Sequence, residues 1–231
     1  MILGLDTATE VLHLALVDGE RAWTKRVMVG VGRSHSVSLL PSLNDLLRDA
    51  GATVADLKGV CCCAGPGGFT SIRIGVATAE GLALTGLPTW GFSSFLLRAH
   101  ALKQGGIKGI FWVLQDGQRN DVFIQRWDGI EALNEAQKVP LALLREIVGT
   151  EAWWAPSTLR PKLDEKLPSS LQLQGEGEAM LAGLVSLCRE LPQLPPENPI
   201  HPFYLRETDA EVNFPEASAH LDDALRKGLP R

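Results

Sequence analysis

The spacing of apolar positions changes several times along this chain, and each change predicts an element. Near the N-terminus apolar residues come in short runs at 2–6, 11–17 and 21–29, separated by turn-forming residues at 7–10 and at Asp18-Gly19. This pattern predicts a three-stranded meander. From Ser34 to Ala50 the spacing lengthens, with Val37, Leu40, Leu43, Leu47 and Ala50 recurring every three or four residues. That predicts a helix capped by Ser34 or Ser36, carrying Pro41 in its interior and stopped by Gly51.

A short apolar run at 59–64 then meets Gly65-Pro66-Gly67-Gly68, and a second helix is expected over 70–84. Another extended piece at 88–91 leads to a third helix at 93–104, which ends at Gly105-Gly106, the expected boundary between two lobes. Residues 110–114, the turn Asp116-Gly117 and residues 122–127 repeat the strand-turn-strand of the opening, so two related α/β halves are expected. Further on, helices are expected at 141–148 and 176–190 and a strand at 152–155. Pro192, Pro195, Pro196 and Pro199 then predict an extended connector. The expected division is an N-terminal lobe 1–104, a C-terminal lobe 107–206 and a tail 207–231.

Composition narrows the classes. The 231 residues suffice to bury a core without covalent staples, and 45% hydrophobic with 21% charged residues is a globular balance. The net charge is −5 and Lys and Arg are scattered, which does not fit an independent nucleic-acid binder. Cys61, Cys62 and Cys63 are adjacent and Cys188 is isolated, a spacing suited neither to a disulfide framework nor to CxxC chemistry, so buried small hydrophobes are expected. Met1 leads into Ile-Leu-Gly-Leu-Asp without a basic region or a long apolar run. The expectation is therefore a cytoplasmic protein with no membrane segment.

Candidate chemistry is sparse. No two of His13, His35, His100, His201 and His220 are spaced i, i+3 or i, i+4, and no Gly-x-Ser-x-Gly elbow or cysteine dyad cue occurs. The loop at Gly65, Gly67 and Gly68, followed by Thr70, lies between a buried strand and a helix, where backbone N–H groups can meet an anion. It is neither a Walker A loop nor GxGxxG, and a plain structural turn accounts for it equally. Asp6-Thr7 at the end of the first strand reads as a metal-nucleotide turn or as one that satisfies its own backbone. The following helix aligns Gly75, Ala79 and Ala83, with Ala77 and Gly81 offset, and this permits close approach to the chain's own sheet or to a partner helix.

Taken together, Leu5-Asp6-Thr7-Ala8-Thr9, His35-Ser36 with Leu39-Leu40-Pro41, and the stretch from Gly65 to Gly75 resemble the TsaB (YeaZ) family. Fainter echoes follow at Asp116 with Asp121-Val122-Phe123 and at Pro202-Phe203-Tyr204-Leu205-Arg206. The resemblance implies a two-lobed actin/Hsp70/sugar-kinase fold with duplicated mixed sheets. It also implies a non-catalytic role in forming threonylcarbamoyladenosine in tRNA, with docking to the enzymatic paralogue TsaD through the first two long helices. The implied interface residues are His35, Leu39, Leu43 and Leu47 on the first helix and Arg73, Val76, Ala79 and Ala83 on the second. TsaE would join in an ATP-dependent complex, two copies would pair when the partner is absent, and tRNA would be met only indirectly. No cofactor is implied.

The paralogue holds its metal with a His-x-x-x-His pair, and the corresponding positions here are Ser94 and Arg98, which rules out that metal chemistry because a guanidinium is not a ligand. Against the family pattern, Gly68 stands for Ser, Ser71 for Gly, Glu80 for Lys or Gln, and Asp116-Gly117-Gln118 for Asp-Ala-Arg. The competing reading is a small ATP-dependent enzyme of the same superfamily using Asp6, Thr7 and the glycine loop. A peptidase has no nucleophile to support it.

Overall fold

The structure, a computed structural model, describes residues 1–29 and 34–206; the expected tail 207–231 and His220 lie outside them. Strands β1 (Ile2–Asp6), β2 (Val11–Asp18) and β3 (Arg21–Met28) form the meander, followed by helix α1 (His35–Asp49). Strand β4 (Gly59–Gly65), helix α2 (Phe69–Ala83), strand β5 (Thr89–Ser93) and helix α3 (Ser94–Gln104) complete the first half. In sheet order β3-β2-β1-β4-β5 the meander pairs antiparallel, while β4 lies parallel to β1 and β5.

The second half holds β6 (Ile110–Asp116), β7 (Asp121–Asp128), β8 (Glu131–Ala132), β9 (Gln137–Pro140), α4 (Leu144–Val148), β10 (Trp153–Trp154), α5 (Arg160–Asp164) and α6 (Glu176–Glu190). Its sheet runs β10-β6-β7-β8, with β9 also on β7. Antiparallel β6-β7 and parallel β6-β10 repeat the β1-β2 and β1-β4 relations of the first sheet. The two-lobed α/β architecture is as expected.

Local chemistry explains most boundaries. Helices α1 and α3 end in the same way, with Gly51 and Gly106 at positive φ. The N–H groups of Gly51 and Ala52 return to Arg48 and Leu47, and those of Gly106 and Ile107 to Lys103 and Leu102, the six-to-one and five-to-two bonds of a Schellman stop. Ser34 is the N-cap residue of α1 but its hydroxyl meets Ser36 at 2.5 Å rather than a backbone N–H. Pro41 lies inside α1, which runs through it, anchored by buried Leu39, Leu43, Leu46 and Leu47. β4 is buried at every position, so Cys61, Cys62 and Cys63 fill space between layers; with Cys188 they are free thiols. Burial pushes the Cys62 and Cys63 thiols well up.

Helix α6 follows the second sheet in sequence, and its Met180, Leu184, Leu187 and Cys188 belong to the same core as β1, β2 and α3. A Cβ at Gly4 would stand 2.4 Å from the Cys188 sulfur, and one at Gly183 2.8 Å from the Ala101 nitrogen. Phe111, Val113, Phe123 and Trp127 of the second sheet reach this core from the other side, whereas Trp112, Leu114, Val122 and Ile124 pack on α4 and α5. The layers are therefore α1/α2, first sheet, α3/α6, second sheet, α4/α5. Residues 194–206 return along β5 to the glycine loop, with Glu197 N–H donating to Thr89 O and Phe203 N–H to Ala64 O. Among the described residues no helix is long and apolar enough to cross a membrane.

Candidate functional site

A cleft of about 1520 Å³ opens between the lobes. Its walls are the β1–β2 turn, the glycine loop with the first turn of α2, residues 203–206, the β6–β7 turn and the start of α6. The sequence candidates gather around it, but several turn away from it.

Asp6 ends β1 directly opposite His13 on β2 and is fully buried. One carboxylate oxygen lies 3.2 Å from His13 Nδ1 and the other accepts the Ala8 N–H at 2.9 Å. Burial by itself raises the carboxyl pKa; the hydrogen bond and charge of His13, the Arg98 guanidinium and the Ala8 N–H outweigh it and hold Asp6 below its ordinary value. Thr7 is buried as well and donates to Ser71 O at 2.7 Å. Both side chains of the expected metal-nucleotide turn are thus spent inside the fold.

The glycine loop has a close-approach reason for its composition. Gly65 adopts φ +114°, and a Cβ there would stand 2.4 Å from Phe203 O; at Gly67 it would stand 2.3 Å from Ala8 O. Gly68 caps α2 and donates to Ala8 O at 2.9 Å. A Cβ at Gly68 would meet the Ser71 hydroxyl at 3.2 Å, so small residue and hydroxyl have exchanged places across one contact. Thr70 is exposed on the cleft wall. The other departures are also accommodated: Glu80 accepts the Ile200 N–H at 2.8 Å, and Asp116 Oδ1 accepts the Gln118 N–H at 2.8 Å in the β6–β7 turn.

Of the expected partner residues, Leu39, Leu43, Leu47, Val76 and Ala79 lie in the core of this chain. His35 is buried and its Nε2 donates to Thr9 O at 2.7 Å, tying α1 to the β1–β2 turn. Gly75 faces inward too, where a Cβ would lie 2.4 Å from Thr7 Oγ1. Of the set, Arg73 and Ala83 remain accessible. Arg73 lies 3.8 Å over the Phe69 ring and donates to the Tyr204 hydroxyl at 3.0 Å, latching residues 203–206 to α2.

The positions corresponding to a metal pair do not fit a metal. Ser94 is buried, donating to Pro66 O at 2.6 Å and lying 3.1 Å from Gln115 Oε1; Arg98 is buried one turn on, donating to Ser94 O at 2.6 Å. Burial lowers the Arg98 pKa, and the Asp6 carboxylate opposes that effect. Among the described residues no group of three or more His, Cys, Asp or Glu is placed to hold an ion.

Gln115 and Trp154 line this site, and the sequence did not single them out. Gln115 had a signal: it is a polar residue on an apolar strand at a position the alternation turns inward. Trp154 is joined to it by a strand pairing distant in sequence, with Val113 of β6.

A family model described as "TsaD: tRNA N6-adenosine threonylcarbamoyltransferase" matches residues 29–144. An uncharacterised protein of Mycobacterium tuberculosis is 31% identical over 224 residues, spanning 91% of this chain and 93% of that one. The Escherichia coli "tRNA threonylcarbamoyladenosine biosynthesis protein TsaB" is 35% identical over 103 residues. The chain belongs to the TsaB (YeaZ) family. The matched stretch spans 42% of the E. coli protein's length, less than half of it. The solved YeaZ of Pseudomonas aeruginosa shares the fold of this TsaB-family chain at 23% identity, with a TM-score of 0.67 over 88% of this chain and 99% of that one.

Proposed function

We propose that this chain is a non-catalytic subunit of the cytoplasmic machinery that forms threonylcarbamoyladenosine in tRNA, and that it docks onto a TsaD-type transferase through the outer faces of α1 and α2. The names of its TsaB relatives support the pathway. The docking surface rests on one observation: α1 exposes Val37 (66%) and Leu40 (55%), and α2 exposes the small residues Ala77 and Gly81, with Leu84 (90%) at its C-cap. Such apolar exposure around a low-relief helix surface suits a partner helix. The inward leucines hold these helices in place; the outward set makes the contact. The same faces would pair two copies of the chain in the absence of TsaD, and TsaE would join the heterodimer with ATP.

The test is capture of purified TsaD by the full chain. Ala77→Arg and Leu40→Glu are expected to weaken capture at least about tenfold, roughly 1.4 kcal/mol, with thermal unfolding unchanged because both positions are exposed. Wild-type affinity in both variants would remove this surface from the proposal.

A further inference from the structure

Strand β3 forms one edge of the first sheet, and its outer side pairs with no strand among the described residues. The Val29 N–H donates to Glu10 O at 2.9 Å, and in this antiparallel register the N–H and C=O groups of Val27, Lys25, Trp23 and Arg21 likewise turn to β2. Those of Ala22, Thr24, Arg26 and Met28 therefore point outward, and all four residues are exposed. An open edge of this kind is a template for another extended chain.

Beside the edge lies a groove of about 420 Å³. Helix α6 runs along it: Arg189 near the helix end donates to Glu20 O at 2.8 Å, and a Cβ at Gly177 near its start would stand 2.9 Å from Arg26 Nε. Between these ends Leu181, Ala182 and Val185 line the groove with Thr24. Side chains alternate across a strand, so every second residue of a chain added to β3 meets this apolar helix surface. The residues between them meet the opposite face, where Arg21 and Lys25 lie and where Lys25 is held by Asp45 of α1 at 2.7 Å.

Charge selects the occupant. Arg21, Lys25 and Arg26 are the ionisable residues of β3, and no acid accompanies them. A second copy brings the same three cations to one ribbon, where like charges oppose pairing. Glu178 and Glu190 also line the groove, which turns acidic side chains of an added strand away from α6 and toward Arg21 and Lys25.

We propose that the outer edge of β3 and the adjoining face of α6 bind an extended segment of a partner protein in which apolar and acidic residues alternate. The segment extends the five-stranded sheet by one strand, its backbone supplying affinity and its alternate side chains specificity. The site does not depend on the docking of TsaD.

The full chain is titrated with a fluorescein-labelled peptide, Ser-Glu-Val-Glu-Val-Glu-Val-Ser, and amide exchange is followed by nuclear magnetic resonance. Saturation is expected with a dissociation constant of about 1 mM or tighter, together with slowed exchange at Thr24 and Arg26. Gln in place of every Glu, or Pro in place of the central Val, is expected to weaken binding about fivefold or more. Ala182→Arg, which fills the groove from an exposed position, and Thr24→Pro, which removes one outward N–H, are each expected to weaken it about tenfold, with circular dichroism as in the wild type. Absence of saturation overturns the proposal, as does binding undiminished in whichever of the two variants folds. Protection of the Thr24 and Arg26 amides in the free chain also overturns it: protection that grows with chain concentration assigns the edge to a second copy, and protection independent of concentration assigns it to the same chain.

Discussion

Asp6 shows how a residue's role is set by what faces it. Its carboxylate is fully buried, so the fold must supply compensating charge, and His13 and Arg98 do so from a neighbouring strand and from α3. Because its folded pKa lies below the ordinary 3.8, the stabilisation it provides is complete above that value and disappears as the pH falls through the folded pKa. Asp6→Asn leaves the Arg98 charge buried without its counter-charge, and a loss of about 3 kcal/mol is expected in denaturant unfolding at neutral pH. The difference between variant and wild type should narrow in acid, below about pH 4. A difference unchanged into acid would show that Asp6 is not the titrating partner. The sequence offered Asp6-Thr7 as a nucleotide turn or a self-satisfied one. In the fold Asp6 accepts the Ala8 N–H within the turn and lies against His13, and Thr7 donates to Ser71, 64 positions away.

At the scale of elements, helix and strand identity follow from local spacing, and the glycine stops at Gly51 and Gly106 were visible as residues before their φ values were known. Orientation was not visible. Helix α2 carries two small-residue stripes, and the spacing cannot say which faces the sheet. Gly75 packs on Thr7, whereas a Cβ at Gly81 meets nothing within 4 Å. Gly81→Ala is therefore expected to stabilise the isolated chain by about 0.5–1 kcal/mol, since only helix propensity acts there. Gly75→Ala is expected to destabilise it by about 1–3 kcal/mol through overpacking. Urea unfolding of the two variants side by side checks both signs, and the opposite order would reverse the assignment of the stripes. Lower TsaD capture by the more stable Gly81→Ala chain would show that the glycine serves the contact rather than the fold.

For the whole molecule, the layer made by α3 and α6 is decisive. Both sheets contribute to its core, so the lobes share hydrophobic burial and should unfold together. Leu184, fully buried on α6, is a probe of that coupling. Leu184→Ala is expected to cost about 2–5 kcal/mol and to shift the far-ultraviolet and tryptophan transitions equally, because Trp127 and Trp154 of the second lobe pack on the same core. Two separated transitions would show that the lobes are independent. A helix read from its period carries no address; α6 follows the second sheet in sequence but buries its apolar stripe on β1 and β2.

Period, turn residues and glycine stops act over a few positions, so they already specify the meander, the three long helices of the first half, the repeated strand-turn-strand and the buried character of the cysteine run. The ordered motifs carried the family for the same reason, being contiguous. Which face of α2 is free, where α6 docks and which strand edge stays open beside it depend on contacts between residues tens of positions apart. Side-chain spacing encodes that a face is apolar, but the layer it meets is selected by packing and polar pairing over the whole chain.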